Sequence, residues 1–289
     1  MFVKYSHPQK FLSNLSNVSL ANKTFYSSET TSVPEKNHLR ACEGNGEWLS
    51  AFPSEVQLSN KEMRIACAYR LRKEVFKVCQ PCARCQVSSD RLGNHAVICK
   101  SGPVNLIGRH DALRDHICAT SKKLGLKTTR EPVICEIQAS IEVQARNQTQ
   151  DDEVDASRTR ADVLIQNWDF EGAALIDVTV CNSLKQQSMR DFKAIATFHQ
   201  AANKKITKYK NRVRALGHHF FPFVVGTLGG FCPDAIKVLE FLSKKWELQF
   251  DIPAERAMMI LRRQISGLMQ KSLASQILDR GVLAEIMCV

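Results

Sequence analysis

Two aspartates stand where a β-hairpin should carry apolar residues. The stretch RADVLIQNWDFEGAALIDVTV, 160–180, holds two short apolar runs around a WDFEG turn, with Asp162 in one run and Asp177 in the other. Folded antiparallel, residues near 167 and 173 pair, and Asp162 falls opposite 177–178, so the carboxylates approach each other. Asp177 and Thr179 then share one strand face, while Ile176, Val178 and Val180 take the other, buried one. Two carboxylates this close repel each other unless a cation lies between them. Mg2+, or Mn2+ in its place, binds to one or two carboxylates plus water and substrate phosphate and would resolve that conflict. In the alternative reading each aspartate meets a nearby lysine or caps a turn. Asp169 and Glu171 read as turn residues.

A second cluster offers softer donors. In CQPCARCQVSSDRLGNHAVICK, Cys82 and Cys85 form a CxxC pair, and His95 and Cys99 an HxxxC pair, with nine residues between the pairs. Each short loop can fold both of its ligands onto one ion, and three thiolates with one imidazole suit Zn2+. Such a shell keeps no open coordination position, so this zinc would be structural. Cys79 could replace Cys82 or stay free, and buried free cysteines are the rival reading.

A basic group is available downstream. NKKITKYK places Lys205 and Tyr209 four residues apart, on one helix face. A helix packed on the sheet would extend Lys205 toward the carboxylates. Otherwise the run is a solvated basic face touching phosphates.

The elements that must position these groups are legible from periodicity. The Ser/Asn/Thr/Lys-rich start, 1–47, is a polar extension. Met63, Ile65, Ala66, Tyr69 and Val75 mark an amphipathic helix within 48–78, with Arg70, Arg72 and Lys73 on its basic side. The zinc segment spans 79–105. GRHDALRDHICATSKKLG reads as a helix with Leu113, Ile117 and Leu124 inward and Gly125 as its stop. REPVICEI reads as a strand and 140–159 as a polar loop. The spacing of Phe192, Ile195, Ala202, Ile206, Tyr209, Val213 and Leu216 predicts a helix over 188–216, ended by Gly217. HHFFPFVVGTLGGF is a strand with a glycine-rich exit. Two amphipathic helices follow, the second from Pro253 to about Leu283, and no internal repeat is present. The order implies a mixed α/β core over 106–235, with C-terminal helices over 236–289.

Composition narrows the partners. The 289 residues carry a net charge of +11 with 44% hydrophobic residues, which favours a folded chain with a polyanionic partner. No secretory signal and no run of about 18 apolar residues is visible, so an intracellular protein with no membrane partner is expected. Eleven cysteines in such a chain argue for a thiolate metal site over disulfides.

Taken in order, these motifs resemble the C-terminal restriction-enzyme-like endonuclease region of non-LTR retrotransposons. The likeness covers most of the chain, from about Trp48 to beyond Leu273. It rests on EWLSAFP and MRIACAYRLR ahead of the CCHC knuckle, GRHD at 108–111, RAD at 160–162, Asp177 after 14 intervening residues, and then Lys205 and Tyr209. The resemblance implies a PD-(D/E)XK fold with an αβββαβ core and Mg2+-dependent cleavage of double-stranded DNA. Element RNA is a possible further ligand, and a eukaryotic member would work in the nucleus. It implies that Asp162 and Asp177 bind the ion, that Glu131 in REP contributes directly or through water, and that Lys205 and Tyr209 complete the site. Arg109, His110, Arg160 and Lys208 would contact or organise the nucleic acid. Two positions depart from the pattern: Ala161 stands for the usual proline and Thr179 for the in-strand lysine, whose role passes to Lys205. No reverse transcriptase motif is visible.

Overall fold

Capping and periodicity set the helices. In the computed structural model, α1 spans Val33–Cys42 and α2 spans Asn60–Arg70. Ser59 caps α2 through a capping box: its hydroxyl accepts the Glu62 N–H, and the Glu62 carboxylate accepts the Ser59 N–H at 2.7 Å. Next comes a two-stranded ribbon, β1 (Gln80–Pro81) and β2 (Ser88–Ser89), and a single turn and a half of helix, α3 (Asn94–Ile98). Then follow α4 (Leu106–Lys123), β3 (Thr128–Arg130), β4 (Val163–Ile165), β5 (Ala174–Cys181), α5 (Ala194–Ala215), β6 (His219–Gly226), α6 (Pro233–Phe250) and α7 (Ala254–Arg280). The structure describes residues 27, 31–42, 56–102, 104, 106–133, 160–168, 172–184, 193–215 and 217–281. The EWLSAFP segment, the polar loop 140–159, Asp169, Glu171, Phe192 and the end of the last expected helix lie outside the described residues, as do the side chains of Lys210 and Arg212.

The larger sheet runs β3-β4-β5-β6. Its first three strands are antiparallel, with Arg130 opposite Val163 and Val163 opposite Ile176. β6 runs parallel to β5, Ala174 beside His219 and Asp177 beside Pro222. A parallel neighbour needs a crossover, and α5 supplies it. Pro222 is tolerated because β6 is the edge strand, where one ladder N–H can be missing. The architecture is mixed α/β with a four-stranded mixed sheet.

Alternation divides the sheet's faces. Val163, Ile165, Ile176 and Val178 join Leu113 and Ile117 of α4 and Val238, Leu239 and Leu242 of α6 in the main core. Leu164 and Leu175 point to the other face and meet Tyr209 and Val213 of α5. A second core gathers Ile65 and Tyr69 of α2, Val75, Phe76, Ala96 and Val97 around Leu273 and Ile277. The 27-residue α7 runs through both cores: Leu261, Ile265 and Met269 belong to the first, Leu273 and Ile277 to the second. At 1.5 Å rise per residue it spans about 40 Å.

Several expectations are corrected. Val75 is buried but lies beyond α2, which stops at Leu71. Arg70 is not on a basic face: it is buried, donating to the Leu228 carbonyl at 2.8 Å and the Cys42 carbonyl at 3.2 Å. REPVICEI begins in β3, whose last residue is Arg130, and Glu131 interrupts the strand at φ 49; residues 134–137 lie outside the described residues. Pairing continues beyond β3 through the Glu131 N–H to the Asp162 carbonyl, the Ala161 N–H to the Pro132 carbonyl, and the bridge between Val133 and Arg160. In α5, Ile195 is 41% exposed and Phe198 takes the inward place. Among the described residues, no helix is long and apolar enough to cross a membrane.

Candidate functional site

The CxxC and HxxxC pairs converge. The ligand atoms of Cys82, Cys85, His95 and Cys99 all lie within 4.8 Å of one another. Cys82 and Cys99 sulfurs are 3.9 Å apart, Cys85 and Cys99 sulfurs 3.7 Å, and Cys85 Sγ lies 3.2 Å from His95 Nε2. A zinc ion with Zn–S near 2.3 Å would set tetrahedral edges of about 3.8 Å. The donor set and its spacing therefore fit Zn2+. Cys79 is exposed and outside this group, which removes it as a replacement for Cys82.

Local geometry explains the convergence. Gln86 turns left-handed at φ 60 and donates to the Cys82 carbonyl at 3.0 Å, closing the CxxC loop. The second pair sits on one short helix: His95 lies in α3, and Cys99 caps its end. The Asp90 carboxylate fixes that helix by accepting the Asn94 N–H at 3.3 Å and the His95 N–H at 3.2 Å. Val75 and Phe76 tie the unit to the second core by donating to the Arg91 carbonyl at 2.9 and 3.0 Å.

The two aspartates form a second constellation, built on β4, β5, α4 and α5. Asp162 sits one residue before β4, and its Oδ2 accepts the Val178 N–H at 2.6 Å. His110 Nε2 lies 3.3 Å from the same oxygen and 3.1 Å from the Val178 carbonyl, while Nδ1 is 3.2 Å from Asp111 Oδ1. Asp177 is buried on the α5 side of β5, and Lys205 Nζ reaches its Oδ2 at 2.7 Å. Tyr209, one turn further on, donates to the Arg160 carbonyl at 3.2 Å. Thr179 Oγ1 is buried with no hydrogen-bond partner among the described residues.

Charge follows from this packing. Burial pushes the Asp177 carboxyl up, against the pull of Lys205, and Asp162 adds to the rise. His110 is pushed up to about 9, chiefly by its hydrogen bond to Asp162, with burial opposing. Burial and the neighbouring Asp177 raise the Tyr209 hydroxyl. The His110 shift has a measurable sign. Its stabilising effect is complete below the ordinary value of 6.5 and is lost as pH rises through about 9. The metal-free protein should therefore lose more thermal stability between pH 6.5 and 9 than its His110→Gln variant. In Asp162→Asn, the His110 proton resonances should titrate near the ordinary range instead of near 9.

Two expected site residues sit differently. Glu131 does not turn its carboxylate to the aspartates: it is ion-paired with Arg114, although its N–H donates to the Asp162 carbonyl at 2.9 Å. Arg109 is not a phosphate contact. It is buried, donates to Gln276 Oε1 at 3.2 Å, and is lowered to about 10 by burial. Neighbours on α4 point about 100° apart, so Arg109 faces α7 while His110 faces the sheet. Arg160 is exposed, and Lys208 is exposed with its ammonium 4.9 Å from the Tyr209 ring. Sequence reading missed Asp111, Arg114 and Arg280. The i,i+3 spacing of Asp111 and Arg114, joined at 2.9 Å, was available as a signal. No local pattern marks Arg280.

No protein-family model matches the chain, and no curated protein matches it.

Proposed function

We propose that the chain is a metal-dependent DNA endonuclease with a PD-(D/E)XK-like core, carrying a structural zinc knuckle. The observation that carries this reading is a pair of neighbouring carboxylates, Asp162 just ahead of β4 and Asp177 in β5, with a helix-borne lysine on Asp177. Supporting it is the element order: a helix, three antiparallel strands, a crossover helix and a parallel strand, as an αβββαβ core requires.

Asp162 and Asp177 offer the hard oxygen donors that Mg2+ or Mn2+ takes. Such an ion, when bound, supplies Lewis-acid stabilisation and a nucleophile active at neutral pH. The chain's own residues do the rest. His110 and the Val178 N–H hold the Asp162 carboxylate in one orientation. Lys205 keeps a positive charge at the place where phosphate charge builds up. Tyr209 anchors α5 to the Arg160 carbonyl, fixing where Lys205 stands. Arg160 and Lys208, both exposed, are suited to backbone phosphates, contacts that give salt dependence but no sequence preference. Glu131 acts at most through Arg114. Glu131→Gln should change the rate by less than about fivefold, equivalent to ~1 kcal/mol, since half-exposed ion pairs are worth little.

A second reading has its own observation. Lys205 and His110 already neutralise both carboxylates, and Thr179 stands in the lysine position. A zinc-containing nucleic-acid-binding module with an inactive nuclease fold would look the same. Supercoiled plasmid incubated with Mg2+ or Mn2+ separates the two: nicking lost in Asp162→Ala and Asp177→Ala supports the nuclease. Salt-sensitive binding without cleavage by any of the three proteins supports the binding module.

A further inference from the structure

Arg280, the last residue of α7, is 1% exposed. A guanidinium stays charged and carries five donors, so burying it requires a matching set of acceptors. Those acceptors lie around the cysteine cluster. Nη2 donates to the Cys99 carbonyl at 3.1 Å and the Ser101 carbonyl at 2.7 Å. Nη1 donates to the Gln276 carbonyl at 3.3 Å and lies 3.2 Å from Asp279 Oδ2. Its Nε is buried with no hydrogen-bond partner among the described residues. Its own carbonyl accepts the Ala83 N–H at 3.0 Å, inside the CxxC loop. One residue earlier, Asp279 takes Arg84 of the same loop in a forked ion pair, Nε being 3.1 Å from each oxygen. Both ligand loops are thus fastened to a single turn of α7.

The charges agree with this placement. Zn2+ with three thiolates and a neutral imidazole sums to −1, and one buried arginine cancels it. Gln276 extends the connection: its side chain accepts from Arg109, the neighbour of His110.

We propose that Arg280 is a positioning residue for the zinc centre and that docking of the last turn of α7 depends on the metal. Release of zinc frees both loops, removes the acceptors that justify burying Arg280, and loosens Gln276–Arg280 together with the Arg109 contact. This inference does not need the nuclease reading. It needs only that the Cys3His group holds zinc.

Full-length Arg280→Lys, Arg280→Met and Arg84→Ala would be compared with wild type in three ways: zinc competition against a chelator, hydrogen exchange with and without zinc, and spectra after cobalt substitution. Partners of metal ligands typically contribute 10- to 100-fold in affinity, so Arg280→Met should lose about that much. Arg280→Lys keeps the charge but loses the fork, and should fall between Arg280→Met and wild type. The cobalt–thiolate charge-transfer band of Arg280→Met should move to lower energy, because the thiolates lose a neighbouring positive charge. Zinc-free wild type should exchange faster at 276–281 and 108–110 while β5 and β6 stay protected. Zinc affinity within twofold of wild type in both Arg280→Lys and Arg84→Ala would overturn the proposal. So would unchanged exchange at the end of α7 on zinc removal, a result that stands even if Arg280→Met does not fold.

Discussion

Asp177→Ala should lower metal-dependent plasmid nicking by roughly a thousandfold while leaving the fold intact. Losing one preorganised charged group at a reacting centre costs about 100- to 1000-fold, and Asp177 would lose its ligand oxygen and the anchor of Lys205 together. Stability should respond weakly. Burial pushes the Asp177 carboxyl up, so its charge is held at a desolvation cost that alanine relieves. Lys205 is 31% exposed and can swing to water rather than remain buried alone. The net change should stay within about 2 kcal/mol, since replacing a buried ion-pair member is destabilising mainly when the other charge is trapped. Asp162→Ala is the informative contrast. It leaves the Val178 N–H without its acceptor and His110 without its partner, so ~1–3 kcal/mol of stability should go with the activity. Equal nicking by wild type and Asp177→Ala would end the nuclease reading. Loss of folding in Asp177→Ala would instead make the Asp177–Lys205 pair a structural element.

What could be read in advance was what depends on neighbours in sequence. Cys82, Cys85, His95 and Cys99 were legible because the short spacing brings each pair together, the first through a turn and the second along α3. The hairpin register was legible because strand alternation has a period of two. Asp162 was placed opposite 177–178, and β4 and β5 pair Val163 with Ile176. Lys205 and Tyr209 share a helix face by spacing alone. Groups whose role is set by distant chain were not legible. Arg70 and Arg109 look like surface cations until Leu228 and Gln276 arrive from more than 150 residues away. Arg280 acquires its role from carbonyls about 180 positions earlier. Glu131 was misread because nothing in REPV announces a left-handed residue, a conformation uncommon outside glycine, asparagine and aspartate.

Chelation should have the second large effect. Native mass measurement should find one zinc per chain, and its removal should lower the melting temperature by about 10 °C or more. In a chain of this size each 1 kcal/mol moves the midpoint by roughly 2–4 °C, and structural zinc binding in small fingers is worth about 10–16 kcal/mol. Only part of that reaches global stability here, because the knuckle does not stand alone. Val75, Phe76, Ala96 and Val97 already pack on α2 and α7 and retain their hydrophobic contribution without the ion. Loss should therefore be concentrated in the second core, with the sheet core melting later and a second transition appearing in calorimetry. Cys82→Ala should reproduce the effect in the presence of zinc, since Cys82 is fully buried and its sulfur lies 3.9 Å from that of Cys99. Cys79→Ala should not, since Cys79 is exposed and outside the group. If zinc is absent from the purified protein and chelator leaves the melting curve unchanged, the four residues are a packed set of thiols and an imidazole. The tetrahedral spacing would then have to be attributed to packing of the two loops against the end of α7.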